Sequence, residues 1–295
     1  MKRQLHLLII DPQNDFCDLP ATYLPPHLSP NLSHSGTITP ALPVPGAHQD
    51  MQRIAQLIQQ GQQGLSGISI TLDTHHILDI AHPGFWQQAD GSAVQPFTSI
   101  SAAQVRTAQF QPRNPAALPR VVNYLDTLEA TERYSLLIWP VHCAIGSWGH
   151  NVHADVYAAC QSWQALQTQG GGDINFINKG TNPWTEHYSA LMAEVPDPNA
   201  PETLLNQALL DQLAQQDRIY ICGEAGSHCV KATTEHIVQH IGAQNISKLV
   251  LLSDCISPVA GFDAQYQGFL SAMRAKGVEI ASSTDILPEL LSNIA

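Results

Sequence analysis

Leu5-His-Leu-Leu-Ile-Ile10 runs directly into Asp11-Pro-Gln-Asn-Asp15-Phe16. A short, nearly continuous aliphatic run of this kind describes a strand covered on both faces, and this one delivers a carboxylate to its carboxyl end. Comparable apolar runs occupy 65–72, 134–139, 218–222 and 249–253, with 278–281 as a sixth. Helical periodicity lies between them. In 49–60 the apolar residues are Met51, Ile54, Ala55, Leu57 and Ile58, and 119–131, 151–166, 201–215, 230–241 and 263–276 follow the same spacing. Alternating strands and helices of these lengths predict an α/β fold: a doubly wound, mostly parallel central sheet with helices on both faces. No boundary divides the chain, so 1–295 reads as a single domain.

Two segments interrupt the alternation. Residues 18–46 are rich in Pro and Ser without helical period and form a long insertion in the place of a lid. Residues 81–115, with many Gln, Pro and aromatic residues, read as an irregular excursion, and Gly170–Gly172 as a turn.

The 295 residues carry a net charge of −12, with 44% hydrophobic and only 13% charged residues. That balance belongs to a globular chain. It excludes nucleic acid as a partner, because phosphate binding needs clustered Lys and Arg and no basic run exists. No apolar stretch reaches the roughly 18 residues of a membrane span. The apolar start is shorter than a signal-peptide core, so the expected location is the cytoplasm. The six cysteines (17, 143, 160, 222, 229, 255) contain no C-x-x-C pair and do not form a disulfide framework.

In open α/β sheets, sites form outside the carboxyl ends of the strands. The residues that follow the strands therefore belong together: Asp11, Asp73-Thr-His75-His76, His142-Cys143, Lys179-Gly180 after the short run 174–177, and Gly223-Glu-Ala-Gly-Ser-His-Cys229. Cys229 follows a strand and a Gly-containing turn and opens a helix. The partial positive charge and free N–H groups of a helix start lower a thiol's pKa and can hold an oxyanion. A carboxylate such as Asp11 can accept the thiol proton, and an ammonium such as Lys179 can stabilise the thiolate. Asp73, His75 and His142 suit a mid-row divalent ion with water in open positions, because in extended backbone Asp73 and His75 face the same way. His76 and His82 compete as ligands.

These motifs resemble the isochorismatase-like cysteine hydrolases, and within them the nicotinamidase branch. Leu8-Ile-Ile-Asp11-Pro-Gln-Asn-Asp15-Phe16-Cys17 is similar to that family's opening strand and catalytic aspartate. Pro43-Val-Pro-Gly46-Ala47 matches the segment after it, displaced here by the insertion. Asp73-Thr-His75 matches the Asp-x-His metal motif, and Trp139-Pro-Val-His142-Cys143 the segment that supplies a further metal ligand. Lys179-Gly180 with Tyr188-Ser189 resembles the catalytic-lysine loop, and Gly223-x-Ala225-x-x-x-Cys229-Val230-x-x-Thr233 the nucleophile segment. The agreement runs from Leu5 to about Ser257 in one order. The departures are the long insertion, the His75-His76 pair and Ala225-Gly-Ser-His-Cys229, where the family usually has Ala-Thr-Asp-x-Cys; they mark a larger subgroup and leave the amide itself open.

The resemblance implies an amidohydrolase that works through a thioester on a Cys229–Asp11–Lys179 triad, with the N–H groups of Ala225 and Cys229 as oxyanion donors and a cis peptide at Glu224–Ala225. It implies one divalent metal ion (zinc, or alternatively iron or manganese) on Asp73, His75 and His142 that holds the pyridine nitrogen of nicotinamide. Phe16 and Trp139 would sandwich the ring, with Tyr188 as a further pocket residue. It also implies a homo-oligomer. Two other readings stay open: the same triad acting on another small amide, carbamoyl compound or ureide, and a non-catalytic binding or assembly scaffold.

Overall fold

In the computed structural model, which describes residues 2–26, 37–167, 172 and 174–294, strand β1 (Leu5–Ile10) is buried at all six positions. A strand with no exposed side chain needs cover on both faces, which its aliphatic run already required. Around it lies a six-stranded sheet made of β2 (Gly67–Asp73), β7 (Ile174–Lys179), β8 (Arg218–Gly223), β9 (Leu249–Leu252) and β10 (Glu279–Ala281), in the order β10-β9-β8-β1-β2-β7. Every pairing is parallel.

The helices are α1 (Ala47–Gly61), α2 (Ala102–Arg106), α3 (Leu118–Ala130), α4 (Ala154–Leu166), α5 (Gln207–Ala214), α6 (Cys229–His240), α7 (Asp263–Ala275) and α8 (Ser283–Ser292). One group, α1 with α4 and α8, packs together; α6 contacts α7, and both α1 and α6 touch β8. α1 buries Met51, Ile54, Leu57 and Ile58, the stripe its periodicity announced. Among the described residues, no helix is long and apolar enough to cross a membrane.

From β1 the chain winds one way through β2 to β7, and from β8 the other way through β9 to β10. The reversal falls between β1 and β8, which makes their carboxyl ends a topological switch point. Register then decides what meets there. Ile10 pairs with Gly223 and Asp73 with Lys179, so Asp11, the loop after Gly223, Asp73 and Lys179 come to one edge. Gly223 adopts φ +111°, and a Cβ on it would lie 2.0 Å from the carbonyl oxygen of Ile10. Only glycine lets the two strand ends approach this closely.

Three sequence expectations need correction. Residues 134–139 do not join the central sheet: Leu136–Leu137 (β6) pairs antiparallel with Ser99–Ile100 (β4). The excursion takes up the backbone of this segment, through Ile138 N–H to Thr98 O and Trp139 N–H to Ala81 O. The sheet position falls instead to β7, an edge strand whose Ile177 and Lys179 point inward while Phe176 and Asn178 are exposed. The expected helix 201–215 is broken into a short 3-10 turn, Pro201–Thr203, and α5, because Asn206 caps α5 by accepting from Leu209 N–H. The excursion 81–115 is also more ordered than its composition suggested, holding α2 and a small pair of strands, β3 (Trp86–Gln88) and β5 (Phe110–Pro112). The insertion 18–46 contains no helix outside a 3-10 turn at Ala21–Tyr23 among its described residues; 27–36 lie outside them, as do Gly170 and Gly171 of the expected turn.

Candidate active site

Asp11 and Lys179 meet in a space closed to water. Lys179 Nζ stands 2.9 Å from Asp11 Oδ2 and 2.9 Å from Asp73 Oδ1. It also donates to His187 O (3.1 Å) and to Cys229 Sγ (3.5 Å). The Lys179 side chain is 1% exposed and the Asp11 side chain fully buried. Thr71 Oγ1 donates to Asp11 Oδ1 at 2.6 Å. Thr71 and Asp73 alternate with Leu72 on β2, so both turn toward this edge.

Burial pushes the Cys229 thiol well above its ordinary pKa; Lys179 opposes this, and the Asp11 and Asp73 carboxylates reinforce it. Burial likewise raises Asp11, against the pull of Lys179. A neutral thiol beside a carboxylate of raised pKa is an arrangement for moving a proton from sulfur to oxygen on demand. Cys229 is the first residue of α6. In the preceding loop Gly226 N–H donates to Ser257 O, while those of His228 and Val230 donate to Ala225 O. The N–H groups of Ala225 and Cys229 take no part in these bonds, and both residues line the pocket. The Glu224–Ala225 peptide is cis.

Beside the lysine lies a histidine cluster. The ligand atoms of His75, His82 and His142, all buried, lie within 4.8 Å of one another. In each ring Nδ1 contacts an oxygen: Asp79 Oδ2 for His75 (3.2 Å), His76 O for His82 (3.2 Å) and Pro140 O for His142 (2.8 Å). With each Nδ1 held by an oxygen, the Nε2 atoms turn inward toward one another, the orientation in which a protein presents imidazole to a metal. His75 Nε2 and His142 Nε2 face Asp73 Oδ2 at 3.0 and 3.2 Å. His82 Nε2 is buried without a partner, and burial lowers its pKa to about 4, which keeps the ring neutral. This donor set fits a divalent ion. Of the two competing histidines, the structure brings His82 into the cluster and leaves His76 exposed.

Both groups open on a narrow cavity of about 20 Å³ lined by Phe16, Leu42, Asp73, Trp139, His142, Glu186, Tyr188, Ala225, His228, Cys229 and Val259. Trp139 Nε1 donates to Tyr188 Oη at 3.1 Å, which fixes the two rings against each other. All three aromatic residues singled out in the sequence thus line the cavity. Sequence reasoning missed Glu186, His228, Leu42 and Val259. Glu186 gave no signal beyond its place in the loop after Lys179, yet its Oε2 is buried without a partner and burial raises its pKa to about 7. Gln13 was also missed. It braces Asp73 from both sides, donating through Nε2 to Asp73 O (2.8 Å) and accepting through Oε1 from Asp73 N–H (2.7 Å).

Comparison with known proteins adds a fold to this geometry. No family model matches the chain, and no curated protein matches its sequence. Solved structures do match. An Acinetobacter baumanii nicotinamidase/pyrazinamidase is 19% identical with a TM-score of 0.60, the alignment covering 96% of this chain and 98% of that one. The yeast nicotinamidase is 18% identical with a TM-score of 0.58, covering 94% and 99%. A Pyrococcus horikoshii pyrazinamidase, solved in complex with zinc, is 18% identical with a TM-score of 0.50, covering 95% and 99%. The chain therefore has the isochorismatase-like α/β fold of these hydrolases, matched along nearly its full length.

Proposed function

We propose that this protein is a cysteine amidohydrolase that cleaves a small planar amide, nicotinamide in the first place, to the acid and ammonia. The observation that carries the reading is the meeting of a buried lysine, a buried carboxylate and a pocket-lining thiol at the switch point of this fold.

Asp11 takes the proton from Cys229 Sγ, and the sulfur attacks the amide carbon. The electron pair of the C=O bond moves to oxygen, to which the N–H groups of Ala225 and Cys229 donate hydrogen bonds; losing such a donor costs about 10²–10³ in rate. Asp11 returns the proton to the departing nitrogen, ammonia leaves, and a thioester to Cys229 remains. Water, deprotonated by Asp11, attacks that thioester; the acid leaves and the thiol is restored. Lys179 holds Asp11 in place and stabilises the thiolate. Phe16, Trp139 and Tyr188 supply the flat apolar walls that a heteroaromatic ring needs.

His75, His82 and His142, with Asp73, would hold one divalent ion. When bound, it offers an open coordination position to a substrate nitrogen and so orients the ring.

The test is ammonia release by zinc-, iron- or manganese-loaded protein from nicotinamide, pyrazinamide and N-carbamoyl compounds. Turnover of the pyridine and pyrazine amides, lost in Cys229→Ala, is the expected result. Turnover of carbamoyl compounds alone would overturn nicotinamide as the substrate. Full hydrolysis by Cys229→Ala would overturn the mechanism.

A further inference from the structure

Behind the peptide that carries the Ala225 N–H lies a group of acids that the reaction does not consume. The Glu224 side chain points away from the pocket into the core and the residue is fully buried. Its Oε2 accepts from Ser257 N–H at 3.3 Å. The same Ser257 donates through Oγ to Asp50 Oδ2 at 2.5 Å, and its carbonyl accepts from Gly226 N–H, one residue past Ala225. One serine on the loop after β9 therefore ties together helix α1, Glu224 and the turn that presents Ala225. From the other side, Glu224 N–H donates to Ile10 O at 2.8 Å, next to Asp11.

Charge is the difficulty in this arrangement. Asp50 pairs with Arg53 at 3.0 Å, whereas Glu224 forms no ion pair among the described residues. Glu224 Oε1 is buried and meets no N–H or hydroxyl donor there, and burial, reinforced by the nearby Asp50 carboxylate, pushes the Glu224 carboxyl well above its ordinary pKa. Ser257 holds both carboxyl groups, and two buried carboxylates held this close resist ionising together. With Arg53 on Asp50, the proton belongs to Glu224.

We propose that Glu224, anchored through Ser257 to Asp50 and to the turn at Gly226, is a positioning residue that aims the Ala225 N–H at the developing oxyanion. The inference rests on the proposed hydrolase reading. It assigns Glu224 a part that a purely structural side chain would not have: it governs stabilisation of the oxyanion and leaves the reactivity of the sulfur alone.

Two probes of Cys229 separate these roles. Acetaldehyde, which needs no ring pocket, adds to Sγ: the thiol proton passes to Asp11, a C–S bond forms, the carbonyl π pair moves to oxygen, and the oxygen enters the oxyanion site. Methyl methanethiosulfonate forms an S–S bond with Sγ and expels methanesulfinate, developing no charge in that site. In Glu224→Ala, acetaldehyde affinity is expected to fall about 10-fold or more, part of the range for a lost oxyanion donor, with the thiosulfonate rate within about 3-fold of wild type. Glu224→Gln, a neutral isostere whose amide oxygen can still accept from Ser257 N–H, is expected to recover most of the affinity. If Glu224→Ala does not fold, Ser257→Ala removes the hydroxyl link to Asp50 and is expected to give the same selective loss at smaller size. Unchanged acetaldehyde affinity, a parallel loss with both probes, or a Gln variant no better than Ala would overturn the proposal. A wild-type Cys229 that reacts with neither probe would instead overturn the hydrolase reading on which it rests.

Discussion

The ends of β1 and β2 each present an aspartate to the same ammonium, and the two acids are driven in opposite directions. Asp11 has Thr71 on one oxygen and Lys179 at the other, and burial pushes its pKa up. Asp73 is just as buried, but His75 and Lys179, helped by hydrogen bonds from His142 and His75, outweigh that burial and hold it well below the usual carboxylate range. One residue type, placed on adjacent parallel strands, is thus made easier to protonate at one end and held as an anion at the other. The number of donors around each carboxylate decides which.

The largest effect should come from the β1 side. Asp11→Asn and Cys229→Ala are each expected to cost about 10⁴-fold or more in kcat, and the double variant little beyond either alone, because nucleophile and base act as a unit. Steady-state ammonia release checks this, and additive losses would separate the two residues. On the β2 side, Asp73→Asn is expected to weaken metal retention by about 10- to 100-fold while leaving Cys229 reactive toward methyl methanethiosulfonate. Metal content after dialysis reads the first and the alkylthiolation rate the second; a thiol silenced as fully as in Asp11→Asn would erase the division between the acids. Thr71→Val removes the one hydroxyl that distinguishes the Asp11 environment. A hydrogen bond to a charged group is worth about 1.5–3 kcal/mol, so kcat is expected to fall about 10-fold with KM little changed.

The smallest effect belongs to the far end of β1, away from the chemistry. Burial lowers the pKa of His6 to about 4, and its Nε2 pairs with Ser69 Oγ at 3.0 Å. The unfolded chain takes up this proton below about pH 6.5 and the folded one only near 4. His6 therefore subtracts stability progressively as the pH falls through that window. His6→Gln is expected to flatten the fall in urea midpoint between pH 7 and 5 and to leave activity at pH 7 intact.

Sequence legibility follows the same division. Strand ends could be read because a buried parallel strand announces itself by composition and the residue after it inherits a known place. Asp11, Asp73, Lys179 and Cys229 were found that way, and the structure brings all four together. Thr71 was readable in principle, two residues before Asp73 on a strand of known period, and went unread because a threonine within a strand is ordinary. Helix α8 carried a capping box, Ser282 with Asp285, that also passed unnoticed. Leu42, Val259 and His228 were not legible, since irregular chain brings them to the pocket and no period encodes its path. The mistaken placing of 134–139 has the same root: an apolar run specifies a strand but not its partner, and the partner here came from the excursion.

That stitching has a practical side. Trp139 reaches the cavity on a segment hydrogen-bonded to residues 81 and 98, while the acid and the amine stand at the ends of central strands and the sulfur on the first residue of α6. On the proposed function, part of recognition, at Trp139, is carried by a stretch of polypeptide separate from those that supply the reacting groups. An engineer wishing to alter which molecules are admitted would rewrite the excursion and keep the sheet.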